Sequence, residues 1–186
     1  MKKLVLLFVI ISSFIIYSQS KFVAGASFNV GFPTGSFSKD ATTGIGGSLI
    51  GEYFINKNIS TLLTVSYQNF PGNFPQVAVQ GMVLDASFNS IPVVAAGRYY
   101  FGEGAFAALE LGCYFFRLSV DASDLYNDER YKSDYEAKFG GALDLGYRFN
   151  LSEQSAMEFT SAYQIVQDDF SSFALRLGIL IYLDRI

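Results

Sequence analysis

Histidine is absent from the 186 residues, and cysteine occurs once, at Cys113. Without imidazole, no Ser-His or Cys-His pair can activate a nucleophile. The commonest nitrogen ligand for zinc is missing as well. One cysteine cannot close an internal disulfide. Basic charge is scarce: 13 Lys and Arg stand against 17 Asp and Glu, and no basic patch gives a footprint for nucleic acid. Tryptophan is missing, so Tyr and Phe supply all of the aromatic content. After the first twenty residues, no apolar run is long enough to cross a bilayer as a helix.

What is present contrasts with that last absence. Hydrophobic residues make up 51% of the chain and aromatics 17%, with 17 glycines. Such apolarity without a helical span is unusual for a soluble protein. A barrel resolves the conflict, because its lipid-facing residues are spread over many short strands. The length suits a single domain.

The N-terminus reads as a targeting segment. Lys2 and Lys3 form a positive start, Leu4 to Tyr17 an apolar run, and Ser18 and Ser20 offer small residues for cleavage. Residues 1–20 are expected to be a removed signal peptide, and residues 21–186 the barrel domain. No cysteine stands at the cleavage point, which argues against a lipoprotein. Removal takes two of the 13 basic residues and none of the acids, leaving 11 against 17 and a net charge of −6.

Period-two alternation dominates the rest of the chain. In the C-terminal run, Phe173, Leu175, Leu177, Ile179, Ile181 and Leu183 share one face. Ala174, Arg176, Gly178, Leu180, Tyr182 and Asp184 share the other, a separation that a strand makes and a helix would smear. The pattern recurs over 135–149, 156–166, 105–118 and 91–101, and more softly over 21–32, 44–55 and 59–69. Short turns are expected at Asn56-Lys57-Asn58, Gly102-Glu103-Gly104 and Asn150 to Ser155. Longer polar loops are expected at 33–43, 70–89 and 119–134, and a moderate one at 167–171. Eight strands with both ends on the short-turn side require three short turns and four longer loops, and the count closes. Val77, Val79, Gly81 and Val83 also alternate, and read as a protruding strand or a structured loop. The expected fold is therefore all-β, an eight-stranded antiparallel up-and-down transmembrane β-barrel.

Charge then orients the faces. Arg or Lys at mid-strand on the lipid side costs about 2–4 kcal/mol, so charged residues should point inward. This places Glu52, Arg98, Glu110, Lys138, Asp144, Arg148, Glu158 and Arg176 in the lumen, opposite the large apolar residues. An eight-stranded barrel has an interior that side chains fill. Glu110, Asp144 and Glu158 are expected to pair with Arg98, Arg148 and Arg176 as a polar plug, since buried charges need compensation. A narrow ion path, or a gate made by switching pairs, is the alternative. Tyr53, Phe54, Tyr67, Phe70, Tyr99, Tyr100, Phe101, Tyr147 and Phe149 cluster near strand ends, as an interfacial aromatic girdle would. The β-propensity of aromatics explains them equally well.

Weaker motifs carry little. Gly44-Ile45-Gly46-Gly47-Ser48-Leu49 partly matches a dinucleotide fingerprint, but Leu49 replaces its last glycine and a strand follows. Asn58-Ile59-Ser60 is a glycosylation sequon at an expected turn. A carboxylate-only hydrolase using Glu110, Asp144 or Glu158 competes with the ion pairing that the same face supplies. The surface loop is richer, with Asp121, Asp124, Tyr126, Asp128, Glu129 and Tyr131 beside Arg130 and Asp134. It reads as a solvated surface, or as a site where divalent cations bridge to lipopolysaccharide or a partner docks. Its spacing does not match an EF-hand.

Several segments together resemble the OmpA/OmpX-like small outer-membrane barrels, especially the stand-alone "outer membrane protein beta-barrel domain" proteins of Bacteroidota. They are the Ser18-Gln19-Ser20 signal end, the Phe32-Pro33-Thr34-Gly35-Ser36-Phe37 loop start, Ile91 to Phe101 (IPVVAAGRYYF) and the alternating final strand. The resemblance spans nearly all of 21–186. The terminal aromatic usual in that family is replaced by Ile186. No peptidoglycan-binding domain follows, so wall anchoring is not expected. The resemblance implies a monomer in the cell outer membrane of a Gram-negative bacterium, in contact with lipid and lipopolysaccharide. It implies no cofactor, no metal and no catalysis, with an extracellular or envelope protein as a candidate partner. Membrane-barrel proteases and lipid A deacylases use histidine, which this chain lacks. A structural or surface-interaction role leads, ahead of a narrow pore for small solutes and a soluble lipocalin-like barrel with its apolar residues inward.

Overall fold

A computed structural model describes residues 22–73, 83–123 and 128–183. The expected signal peptide lies outside the described residues. In chain order the elements are β1 (Phe22–Pro33), α1 (Phe37–Asp40), β2 (Gly44–Phe54), β3 (Ile59–Pro71) and β4 (Val83–Phe101). There follow β5 (Ala105–Ser123), β6 (Asp128–Lys132), β7 (Glu136–Asn150), β8 (Ser155–Val166), a 3-10 turn (Gln167–Asp169) and β9 (Ser172–Tyr182).

Every pairing is antiparallel, and the sheet closes on itself. β1 pairs with β9 from Val23↔Tyr182 to Pro33↔Ser172, and β4 with β5 from Val83↔Ser123 to Phe101↔Ala105. The wall runs β1-β2-β3-β4-β5-β7-β8-β9 and back to β1, eight strands in all. β6 is additional, pairing with β5 over Ser119↔Lys132 to Ser123↔Asp128. Closure leaves the wall without an edge, which satisfies the backbone where no water can.

Three tight connections, at 55–58, 102–104 and 151–154, lie at one end together with both ends of the strand run. In the second, Gly102 takes φ +85, a conformation for which glycine has no steric penalty. Gly31 serves differently: a Cβ there would lie 2.9 Å from the Phe70 ring. Its absence lets that ring fill the lumen.

The strands follow the expected alternation, but four connections differ from expectation. β4 begins at Val83 and β5 runs to Ser123, so both extend past the expected 91 and 118. Part of the 70–89 loop is thus strand, and Val83 of the ambiguous alternating segment opens β4, while 76–82 lie outside the described residues. Likewise 119–123 and 128–132 pair with each other and are not irregular loop. Backbone pairing thus continues beyond the expected strand ends. The 33–43 loop holds α1, which drops Phe37 into the mouth of the barrel. Asp168 and Asp169 in the 167–171 connection both take left-handed φ, 58 and 63.

Outside, Leu49, Leu143 and Ile179 are 68%, 64% and 63% exposed, within a continuous apolar belt. A soluble lipocalin-like barrel would bury such residues. Near the turns, Phe22 packs against Tyr53 at 5.0 Å, Tyr99 against Phe101 at 6.1 Å and Tyr147 against Phe149 at 4.5 Å, all with tilted rings, forming one outward girdle. Phe54, Phe70 and Tyr100 do not belong to it. Strand parity turns them inward, where Phe70 and Tyr100 are buried and Phe54 stacks on Tyr100 at 5.4 Å.

Candidate functional site

Among the described residues, charged and polar side chains converge in the lumen, and each arrives by strand parity. Glu52 of β2 follows outward Gly51, and Arg98 of β4 lies between outward Gly97 and Tyr99. Arg148 of β7 lies between Tyr147 and Phe149, and Glu158 of β8 precedes Phe159. All four are buried, at 5% exposure or less.

These four form a closed quartet near the short-turn end. Arg98 grips Glu158 with both nitrogens, Nη1–Oε2 at 2.7 Å and Nη2–Oε1 at 3.0 Å, the planar fork-to-fork geometry of a strong pair. Arg148 Nη2 donates to Glu52 Oε2 at 2.5 Å and to Glu158 Oε2 at 2.6 Å. Ser60 Oγ and the Tyr100 hydroxyl donate to Glu52 Oε1 at 2.6 and 2.8 Å. The Arg98 guanidinium also lies 3.9 Å over the Phe106 ring, a cation–π contact. Two cations and two anions balance, which is what burial in a low-dielectric lumen requires.

Midway along the barrel lies a second group. Arg176 of β9 reaches Glu110 of β5 at 2.7 Å (Nη1–Oε1) and 3.0 Å (Nη2–Oε2). Its Nη1 lies 3.3 Å from Asp144 Oδ2 of β7. On the adjoining strands β1, β2 and β3, Asn29 donates to Ser48 at 2.6 Å, and Ser48 meets Ser66 at 2.7 Å. Between quartet and triad is a cavity of about 10 Å³, bordered by Ser27, Thr64, Arg98, Glu110 and Arg176. That is room for roughly one water.

At the long-loop end the lumen is closed by rings. Phe37 of α1 lies 5.3 Å from Phe70, 5.6 Å from Phe88 and 5.2 Å from Phe170. Phe116 and Phe170 lie 4.5 Å apart beneath it. Lys138 stands at this rim, apart from the other lumen charges. Its Nζ reaches Asp168 at 2.7 Å and Glu136 at 3.1 Å, and lies 5.1 Å over Phe170.

The structure thus brings Glu52, Arg98, Arg148 and Glu158 together, and Glu110, Asp144 and Arg176 together, and leaves Lys138 separate. Ser60, Asp168 and Phe37 are participants for which the sequence sets no role, and Tyr100, expected in the girdle, joins the quartet instead. Ser60 and Tyr100 share the inward parity of the charges and could have been found by it. Of the surface-loop group, Asp121 lies in β5 and Asp128, Glu129 and Tyr131 in β6, while Asp124 and Tyr126 lie outside the described residues.

Neither a protein-family model nor a curated protein matches the chain. Solved structures do. The attachment invasion locus protein Ail of Yersinia pestis is similar at 17% identity and TM-score 0.52, over 87% of this chain and 96% of that one. Neisserial surface protein A is similar at 16% identity and TM-score 0.53, over 89% and 98%. The outer membrane protein OprG of Pseudomonas aeruginosa is similar at 12% identity and TM-score 0.55, over 87% and 94%. The shared property is the fold, that of a small outer-membrane β-barrel.

Proposed function

We propose that the protein is an integral outer-membrane barrel with a structural or surface-interaction role, exported by cleavage of residues 1–20. The observation that carries this reading is the filled lumen. A ring of phenylalanines closes one end, a neutral quartet of ion pairs closes the other, and the cavity between them measures about 10 Å³. Such an interior favours a plug over a solute path. The apolar belt and aromatic girdle fit a bilayer on the outside, which makes lipid and lipopolysaccharide the surrounding partners.

The contact surface for a partner is the long-loop end, where β4, β5 and β6 extend beyond the rest of the wall. The stand-alone Bacteroidota barrels remain the finer family assignment that the sequence motifs favour. Planar-bilayer recording of the refolded protein tests the plugged lumen. The expected result is no stable ohmic channel, and reproducible single-channel steps would overturn it.

A narrow pore is the second reading, and one observation favours it. Arg98 Nη1 lies 2.7 Å from Glu158 and 3.5 Å from Glu52, so its partner could change with a small side-chain movement. Conductance that appears only on charge-altering substitution of Glu52 or Glu158 would support this reading.

A further inference from the structure

The quartet is neutral, but the triad is not: Glu110 and Asp144 share the single guanidinium of Arg176. That guanidinium is already committed. Both of its terminal nitrogens engage Glu110, and Asp144 receives only the longer contact of 3.3 Å from one of them. Asp144 Oδ1 has no hydrogen-bond partner among the described residues, although the residue is 2% exposed. The two carboxyl groups converge on the same nitrogen, Arg176 Nη1, at 2.7 Å and 3.3 Å.

Other charges on the surrounding strands do not fill the deficit. Arg98 on β4 is held by Glu158 on β8. Lys138 on β7 is held at the rim by Asp168 and Glu136. Tyr114 on β5 brings a buried hydroxyl without a partner, which is neutral. Two carboxylates that share one guanidinium in a dry interior cannot both carry charge against that single cation.

We propose that one proton is held between Glu110 and Asp144, so that the pair and Arg176 form a neutral proton-binding site at the centre of the lumen. The ligand is the proton itself. The bond is an O–H of one carboxyl donated to an oxygen of the other, and the cavity of about 10 Å³ beside Glu110 is too small to seat a hydrated cation. Arg176 orients the pair through its bidentate grip on Glu110. The inference does not depend on whether the protein is a plug or a pore.

Infrared difference spectroscopy of the mature protein, refolded into phosphatidylcholine vesicles at neutral pH, tests it. Surface carboxyls are ionised there, so a protonated-carboxyl carbonyl band reports a buried acid. The expected result is such a band in the parent protein, lost in both Asp144→Asn and Glu110→Gln. Asp144→Asn, an isostere of the protonated acid, should keep the parent's gel heat-shift midpoint. Absence of the band in the parent overturns the proposal, and a stability that then tracks the choice of sodium or potassium would assign the charge to a bound cation. Persistence of the band in both variants also overturns it. Should Asp144→Asn fail to fold, the parent spectrum and Glu110→Gln still decide the matter.

Discussion

Arg148 and Glu158 stand directly opposite each other in the β7–β8 register, and Arg148 Nη2 donates to Glu158 Oε2 at 2.6 Å. The same carboxylate also receives Arg98 from the far side of the barrel at 2.7 Å. Glu158 is therefore the anion that both arginines of the quartet hydrogen-bond. Replacing it by Ala leaves two guanidinium groups with only Glu52, and removing one partner of a buried pair costs about 3–5 kcal/mol. Urea unfolding in lipid vesicles should show a loss of that size. A change below about 1 kcal/mol, the range of exposed pairs, would show that the quartet is hydrated.

Orientation is tested at Leu143, mid-strand in β7 and 64% exposed on the outer face. Leu143→Arg should destabilise the inserted barrel by about 2–4 kcal/mol, the cost of a cation at the bilayer midplane. The measurement is again equilibrium unfolding in vesicles. A neutral result would place this face against water.

Cys113 provides a probe that needs no substitution. It is exposed on the outer face, in the register pair with Phe139. A water-soluble maleimide should leave it unmodified in vesicles and modify it after denaturation in detergent, while a lipid-dissolved thiol reagent should reach it in the intact barrel. Equal reaction with the aqueous reagent in both states would contradict lipid contact.

Phe37 tests the mouth of the barrel. Its ring is 4% exposed among four other phenylalanines, and truncation to Ala should cost about 3–5 kcal/mol if the surrounding rings do not relax. The barrel should still shift on a heat-modifiability gel, because the wall does not depend on α1. It should also stay electrically silent, because the quartet remains shut beneath the opened cap.

Much of this architecture is written in local sequence, and some is not. Leu143-Asp144-Leu145 shows by parity alone that Asp144 points away from lipid, and the same logic places every charge of both ion-pair groups. The Arg148–Glu158 pair is legible too, since both lie near one tight turn and the register follows from it. Arg98 meeting Glu158 is not legible, because they sit on β4 and β8, which touch only through the closed interior. Continuous aromatic runs hide parity. In Tyr99-Tyr100-Phe101 three rings look alike, and only the neighbouring Arg98 shows that Tyr100 is the inward one. Phe37 was invisible because its burial depends on four elements distant in sequence. The extension of β4 and β5 was missed because polar residues beyond the bilayer look like loop when hydrophobicity is the guide.

The quartet draws its members from β2, β4, β7 and β8, and Glu52 and Arg148 are 96 positions apart. Arg148 meets Glu158 within one hairpin, but the Arg98–Glu158 and Arg148–Glu52 contacts join strands that are not neighbours in the wall. A strand pair entering hydrocarbon alone would carry bare charge with it. Matching these charges therefore requires the sheet to be curled, so insertion and curling are expected to proceed together. The wiring of the interior makes biogenesis a concerted event.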